Sequence, residues 1–361
     1  MCVLMAEVKT AVVGVGNCCS ALIQGVELLK SKRGMEETVP GLLHPVVGGY
    51  TPSDIRFVAA FDVDSRKVGK DLSQAIFTQP NAVLKFFEVP HLDVKVLRGE
   101  PLDGVGKFVK DVVTVAPAPP VDVAQVLRET KAEVVVNLLP SGALKASSWY
   151  AEAALKAGSG FVNATPSMVA SGRGWAKRFR EARLPVAGDD LMDQIGSTML
   201  HKAIFETLHR RGVRIEKSYA LDIGGGTENL NALERERNIL KRRIKASSIQ
   251  SVVPYPVSLA TGTTDYVGFM GNTRTSYLWV EGSYFAGTPV QMDIKVSTVD
   301  APNGCNVLID VIRGVKLGLD RGLAGPLVSV SAYGFKKPVK PMPPVQAMNR
   351  FEAFAKGTRM D

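Results

Sequence analysis

The sequence predicts an α/β fold in which a parallel sheet with helices on both faces carries an inserted α+β domain. Three observations predict it. A buried strand (Ala11, Val12, Val13) runs into Gly14-Val15-Gly16 and then into a helix whose Ala21, Leu22, Val26 and Leu29 share one face. Strand and helix patterns keep alternating through the first half of the chain. From residue 213 the apolar period changes to two, over 213–223 and again over 276–299.

In chain order, Gly14 permits the tight turn after the first strand. Gly16 lets the backbone approach a pyrophosphate, and the free N–H groups at the helix start attract its charge. This is the opening of a Rossmann unit, although Cys19 stands where a third glycine is usual. Asn17 and Cys18 extend the turn and join Gly14 and Gly16 as cofactor-binding candidates. The second strand, 54–62, ends in Asp62, where a carboxylate binds the ribose hydroxyls of NAD and repels the extra phosphate of NADP. The usual gap between glycines and acid is about 20 residues. Here it is roughly twice that, so residues 31–50 are read as an insertion.

Strands at 134–139, 160–163 and 184–188 and helices at 147–157 and 195–209 continue the βαβ rhythm. Ligands of a parallel sheet sit beyond the carboxyl ends of its strands, where Asn137, Ser141, Asn163, Thr165 and Asp190 would cluster. Asn137, Ser141, Thr165 and Asp190 are therefore cofactor-binding candidates. A charged helix over 229–245 follows the strand at 213–223, and 276–299 reads as a hairpin about the turn at 286–289. Residues 303–321 return to helix, and Pro338, Pro341, Pro343 and Pro344 suit a tail laid over the surface. The expected division is a Rossmann domain of 1–200 plus 301–361 and a catalytic and assembly domain of 201–300.

Composition narrows the function classes. The chain has 361 residues, 45% of them apolar and 22% charged, as in a soluble globular protein. No apolar run reaches membrane-spanning length, and the first seven residues lack the basic start of a signal peptide. Cys2, Cys18, Cys19 and Cys305 show no metal-ligand spacing, and a reducing cytoplasm fits them best. The net charge is +9, but basic residues are dense only over 235–245, with acids interleaved at its start. That suits a basic pocket for an anionic small molecule better than a nucleic-acid surface. A solvated helix of paired charges is the plainer alternative.

Several segments together resemble the myo-inositol-1-phosphate synthase family, of the shorter prokaryotic and archaeal kind. They include GVGNCCSALIQGVE, GFVNATPSMVAS, PVAGDDLMDQIGSTMLH, LDIGGGTENLNALERER, DAPNGCNVLIDVIRGVK and SAYGFKKP, spread from residue 14 to residue 337. The resemblance implies an NAD-dependent cyclising isomerase that turns glucose 6-phosphate into 1L-myo-inositol 1-phosphate, working as a homotetramer. It also implies that Lys241, Lys245 and Lys336 are active-site lysines, and that Asp190 and Asp300 are acids that steady them and the cofactor. It leaves a divalent metal ion open. The chain departs from the family pattern at four places. Met192 and Asp193 stand where the pattern has Lys-Ser, Gly226 where it has Asn, Glu228 where it has Asp, and Arg274 where it has an active-site lysine. Arginine keeps the charge but cannot donate a proton. A divergent relative acting on another sugar phosphate, or a non-catalytic NAD-binding paralogue, therefore stands as the alternative.

Overall fold

The alternation of side chains in the first strand sets the layering. In the computed structural model, which describes residues 7–361, strand β1 (Val8–Val13) turns Val8 and Val12 to one face and Ala11 and Val13 to the other. Cys2 lies outside the described residues. The chain continues through α1 (Asn17–Ser31), β2 (Ile55–Asp62), α2 (Leu72–Ala75), β3 (Val96–Arg98), α3 (Val123–Glu129) and β4 (Val134–Asn137). Next come α4 (Leu144–Ala157), β5 (Gly160–Asn163), α5 (Arg173–Glu181), β6 (Pro185–Gly188), α6 (Ser197–Arg210) and β7 (Arg214–Gly224). Then follow α7 (Thr227–Ala232), α8 (Arg235–Gln250), β8 (Ser258–Tyr266), β9 (Thr273–Ser283) and β10 (Pro289–Val299). The remainder is α9 (Asp300–Asp320), β11 (Gly325–Pro326), α10 (Val328–Gly334) and α11 (Pro344–Ala355).

Seven strands form one sheet in the order β11-β6-β5-β4-β1-β2-β3, every neighbouring pair parallel. The chain runs outward from β1 to β3 and then returns to place β4 on the other flank of β1. This reversal opens a crevice beyond the carboxyl ends of β1 and β4, the usual ligand position in such sheets. On one face α1 and α9 pack together around Val12, Leu22, Val26, Val311 and Val315. On the other, α3 and α4 bring Leu127, Tyr150 and Ala154 against Ala11 and Val13. The expected parallel sheet with helices on both faces is therefore present.

The second sheet has the order β10-β9-β7-β8, with β9 antiparallel to β10 and β7, and β8 parallel to β7. Helices α6 and α8 cover one of its faces, where Phe205, Leu208 and Ile249 meet Ile215 and Val280. The other face carries Tyr219 stacked on Trp279, with ring centroids 5.6 Å apart, and a half-exposed Tyr277. Among the described residues no helix is long and apolar enough to cross a membrane.

Two expectations need correction. The charged helix over 229–245 is two helices, α7 and α8, because Glu234 leaves helical geometry and its carboxylate accepts the Lys107 N–H at 2.7 Å. The proline-rich tail does not merely lie over the surface. Pro344 starts α11, and Phe351 and Phe354 are fully buried, with Phe351 stacked on Tyr333. The insertion before β2 is also anchored. Buried Arg313 of α9 donates to the carbonyls of His44 (2.7 Å), Pro45 (3.1 Å) and Tyr50 (3.0 Å).

Candidate active site

The glycine turn is built to hold its shape. Gly14 adopts φ +90, and a Cβ there would lie 3.0 Å from the Leu138 carbonyl oxygen, so only glycine fits between β1 and β4. Gly16 is the N-cap of α1, with open space where a side chain would be and no side-chain cap on the helix. The intervening Val15 peptide is gripped from both sides. Its N–H donates to Asp62 Oδ2 at 2.7 Å, while Lys67 Nζ (2.8 Å) and Asn81 Nδ2 (3.1 Å) donate to its carbonyl. Asn17 ties the start of α1 to the neighbouring loop, accepting the Ala82 N–H at 2.9 Å.

This turn opens a cleft of about 1570 Å³ whose lining includes Gly14, Gly16, Asn17, Cys18, Asp62, Ser141, Thr165 and Asp190. The shape, the bare helix start and the carboxylate at the end of β2 together fit a dinucleotide of the NAD type. Asn137 needs correction as a cofactor-binding candidate. It is fully buried below the cleft, its amide donating to Asn163 at 2.9 Å and its oxygen accepting the Leu139 N–H, so it braces the strand ends instead of lining the cleft.

A narrower polar pocket of about 420 Å³ adjoins the cleft. Asp190, Asp193, Lys241, Arg274 and Lys336 line both, so the two spaces meet at charged side chains. The start of α6 contributes Gly196, Ser197 and Thr198 to the polar pocket, placing free N–H groups beside Lys241, Arg242 and Lys245 of α8. Lys241 and Lys245 stand one turn apart on α8 and face the same pocket, as their spacing implies.

Each candidate cation is held by a carboxylate from a different element. Lys241 pairs with Glu228 of α7 at 2.6 Å, and Glu228 also takes a short hydrogen bond from the Ser141 hydroxyl. Lys245 pairs with Asp222 of β7 at 2.6 Å and donates to Ser197 at 2.8 Å. Arg274 of β9 pairs with Asp300 at the start of α9 (2.8 Å), and Lys336 with Asp190 (3.0 Å). Lys336 also donates to the Leu191 carbonyl at 2.7 Å. Asp190 itself sits at φ +63, its N–H on the Thr165 carbonyl and its carbonyl on the Lys336 N–H.

These pairings set the charge states. Burial alone would raise Asp222, but Lys245 and Arg274 outweigh it and pull the carboxyl down to about 2. Burial lowers Lys245, with Asp222 pulling the other way. Burial also works against charge on Lys336, yet Asp190 and Asp193 carry it above the ordinary lysine value. Asp300 is raised by burial against the pull of Arg274, with Asp193 adding to the rise. Two buried atoms, Asp190 Oδ2 and Arg274 Nε, have no protein partner. Both belong to residues shared by cleft and pocket, so a bound ligand is the natural partner for them.

Asp222, Ser197, Lys67 and Asn81 are site residues that the sequence reading did not single out, and Asp193 entered it only as a departure from the family pattern. Asp222 is hidden in the alternating strand 213–223, because counting from Val213 and Ile215 puts it on the outward phase and a register shift between Ile215 and Lys217 turns it inward. The others depend on tertiary placement. Met192 is 1% exposed and lines neither space, so it supplies no charge there. Among the described residues no group of three or more His, Cys, Asp or Glu side chains is placed to hold a metal ion. The divalent ion that the resemblance left open thus has no ligand set of that kind.

Comparison with known proteins places this geometry. The family model for myo-inositol-1-phosphate synthase matches residues 196–301, the span holding α6, the second sheet and the start of α9. The inositol-3-phosphate synthase of Mycobacterium tuberculosis is 41% identical over 354 residues, covering 97% of this chain and 96% of that protein. The chain belongs to the myo-inositol-1-phosphate synthase family. The inositol-3-phosphate synthase of Corynebacterium glutamicum is 40% identical over 97% of this chain and 98% of its own length. A myo-inositol-1-phosphate synthase-related protein from Thermotoga maritima shares the fold with TM-score 0.82 at 21% identity, covering 97% of this chain and 98% of that one.

Proposed function

We propose that this member of the myo-inositol-1-phosphate synthase family is an NAD-dependent cyclising isomerase converting glucose 6-phosphate to 1L-myo-inositol 1-phosphate. The observation that carries the reading is the junction itself, where a dinucleotide cleft opens into a pocket of paired cations and carboxylates through five shared charged residues. NAD, when bound, supplies a hydride acceptor and gives the hydride back. The chain's own residues do the rest. The α6 start with Lys241, Arg242 and Lys245 binds the phosphate. Lys336 and Arg274, fixed by Asp190 and Asp300, present positive charge where oxyanions develop during enolate formation and ring closure.

The reading includes NAD over NADP because of Asp62. Residues 201–300 serve as the sugar-phosphate and assembly domain, and the bare face carrying Tyr219, Tyr277 and Trp279 supports assembly into a homotetramer. Light scattering at micromolar protein tests the assembly, and a stable monomer would contradict it. The described cysteines are free, which suits a reducing compartment such as the cytoplasm.

Purified protein incubated with glucose 6-phosphate and NAD should form inositol phosphate, seen by phosphorus NMR, with no net NADH. Binding of NAD without that product would overturn the synthase reading. One observation favours a second reading. Arg274 stands where the family pattern has an active-site lysine and is locked to Asp300, and if that lysine gives up a proton the exchange suits a relative acting on a different sugar phosphate. Conversion of another hexose phosphate, with glucose 6-phosphate left untouched, would decide for it.

A further inference from the structure

We propose that Asp193 accepts a hydrogen bond from a hydroxyl of the sugar phosphate and thereby decides which sugar the pocket takes. The proposal rests on reading the pocket as a sugar-phosphate site. Three carboxylates line the polar pocket, and two of them are paired with its lysines. Asp190 holds Lys336, and Asp222 takes both Lys245 and the Ser276 hydroxyl (2.7 Å). The Asp193 carboxylate has no hydrogen-bond or ion-pair partner among the described residues, although Asp193 lines the pocket and the cleft alike.

Its position is fixed by packing. A Cβ on Gly304 of α9 would lie 2.9 Å from Asp193 Oδ1, and a Cβ on Gly196 would lie 2.7 Å from Asp193 Cβ. Two glycines thus make room for this side chain, between the start of α6 and the first turns of α9. Arg274 and Lys336 share the pocket with it but bond other carboxylates.

The chemistry of the group names its partner. An ionised carboxylate only accepts hydrogen bonds. It repels a phosphate, so the group that meets it must be a neutral donor, which on a sugar phosphate is a hydroxyl. The pattern that this chain resembles has a serine here, which both donates and accepts. Replacing it with a carboxylate removes the donor option and adds charge. In a sugar that cyclises through C5, C6 and C1, the oxygens at C5 and C1 change during the reaction. The hydroxyl for Asp193 is therefore one at C2, C3 or C4, on carbons that do not react and need a fixed holder.

The test uses the full chain loaded with NAD and titration calorimetry with glucose 6-phosphate, its 2-, 3- and 4-deoxy analogues, and inorganic phosphate. One deoxy analogue should bind the unmodified protein about 10- to 100-fold more weakly than glucose 6-phosphate, the range for a hydrogen bond to a charged group. Asp193→Ala should weaken glucose 6-phosphate to the level of that analogue and leave inorganic phosphate unchanged or tighter. Asp193→Asn, which keeps an acceptor, should restore part of the discrimination. Unchanged discrimination in Asp193→Ala overturns the proposal while leaving the sugar-phosphate reading intact. So does an equal loss for inorganic phosphate and sugar. An unmodified protein that binds none of the sugar phosphates overturns both.

Discussion

Removing one member of a buried ion pair strands the other, and the site consists of such pairs. Lys336 is the clearest case because it touches Asp190 and the Leu191 carbonyl but no part of the glycine turn. Lys336→Ala should lower turnover about 10²- to 10³-fold while NAD affinity, read by calorimetry, stays within a few-fold. Loss of NAD binding would mean that Lys336 serves the cofactor instead. Beneath the pocket, His201 is fully buried, with Nε2 2.6 Å from the Ser218 hydroxyl and Nδ1 unpartnered. Burial and neighbouring Lys245, against Asp222, push it down to about 3. Unfolded chains protonate histidine near pH 6.5. Stability from this residue is therefore complete above that pH and is lost as pH falls toward 3, at roughly 1.4 kcal/mol per pH unit. His201→Gln should flatten the urea stability profile between pH 6 and 4, and an unchanged slope would refute the assignment. At this scale the lysines were legible only through the resemblance, and the one-turn spacing of Lys241 and Lys245 added that these two can share a pocket. Asp190 and Asp300 were legible in the same way, but Glu228 and Asp222, the partners of Lys241 and Lys245, were not, since they reach them only through tertiary contacts.

At the scale of elements, β2 delivers its carboxylate to the turn after β1, where Asp62 accepts the Val15, Val63 and Asp64 N–H groups. Asp62→Ala should therefore do two things. It should loosen the turn and weaken NAD binding, and it should narrow the preference for NAD over NADP. Fluorescence titration with both reduced cofactors measures this, and equal affinity of the unmodified protein for the two would remove the argument. Most strands were legible from apolar runs and from period-two alternation, but β3, β8 and β11 were not read. The tail was not, because four prolines hid a helix whose Ala347, Phe351 and Phe354 recur at helical spacing. The break between α7 and α8 was hidden as well. It depends on Glu234 meeting Lys107 of a loop far away in sequence.

For the whole molecule, the sequence shows two sheets because periodicity changes at residue 213, but not how the sheets share a site. The sharing arises because α9 starts under the second sheet at Asp300 and ends against the first, while Lys336 returns from beyond β11. Both halves thus place charge at one junction. Around the polar pocket, the cations Lys241, Arg242, Lys245, Arg274 and Lys336 face the carboxylates Asp190, Asp193, Asp222, Glu228 and Asp300. The local field almost cancels, although the chain as a whole carries +9. A dianion approaching from solvent is then not drawn in from a distance. Stopped-flow association of glucose 6-phosphate should change less than about three-fold between roughly 50 and 500 mM salt, where screening would cut a steered encounter far more. A steep decline would show that the pocket attracts anions at long range. Entry instead depends on contact, where ligand oxygens take up cations that resident carboxylates now hold.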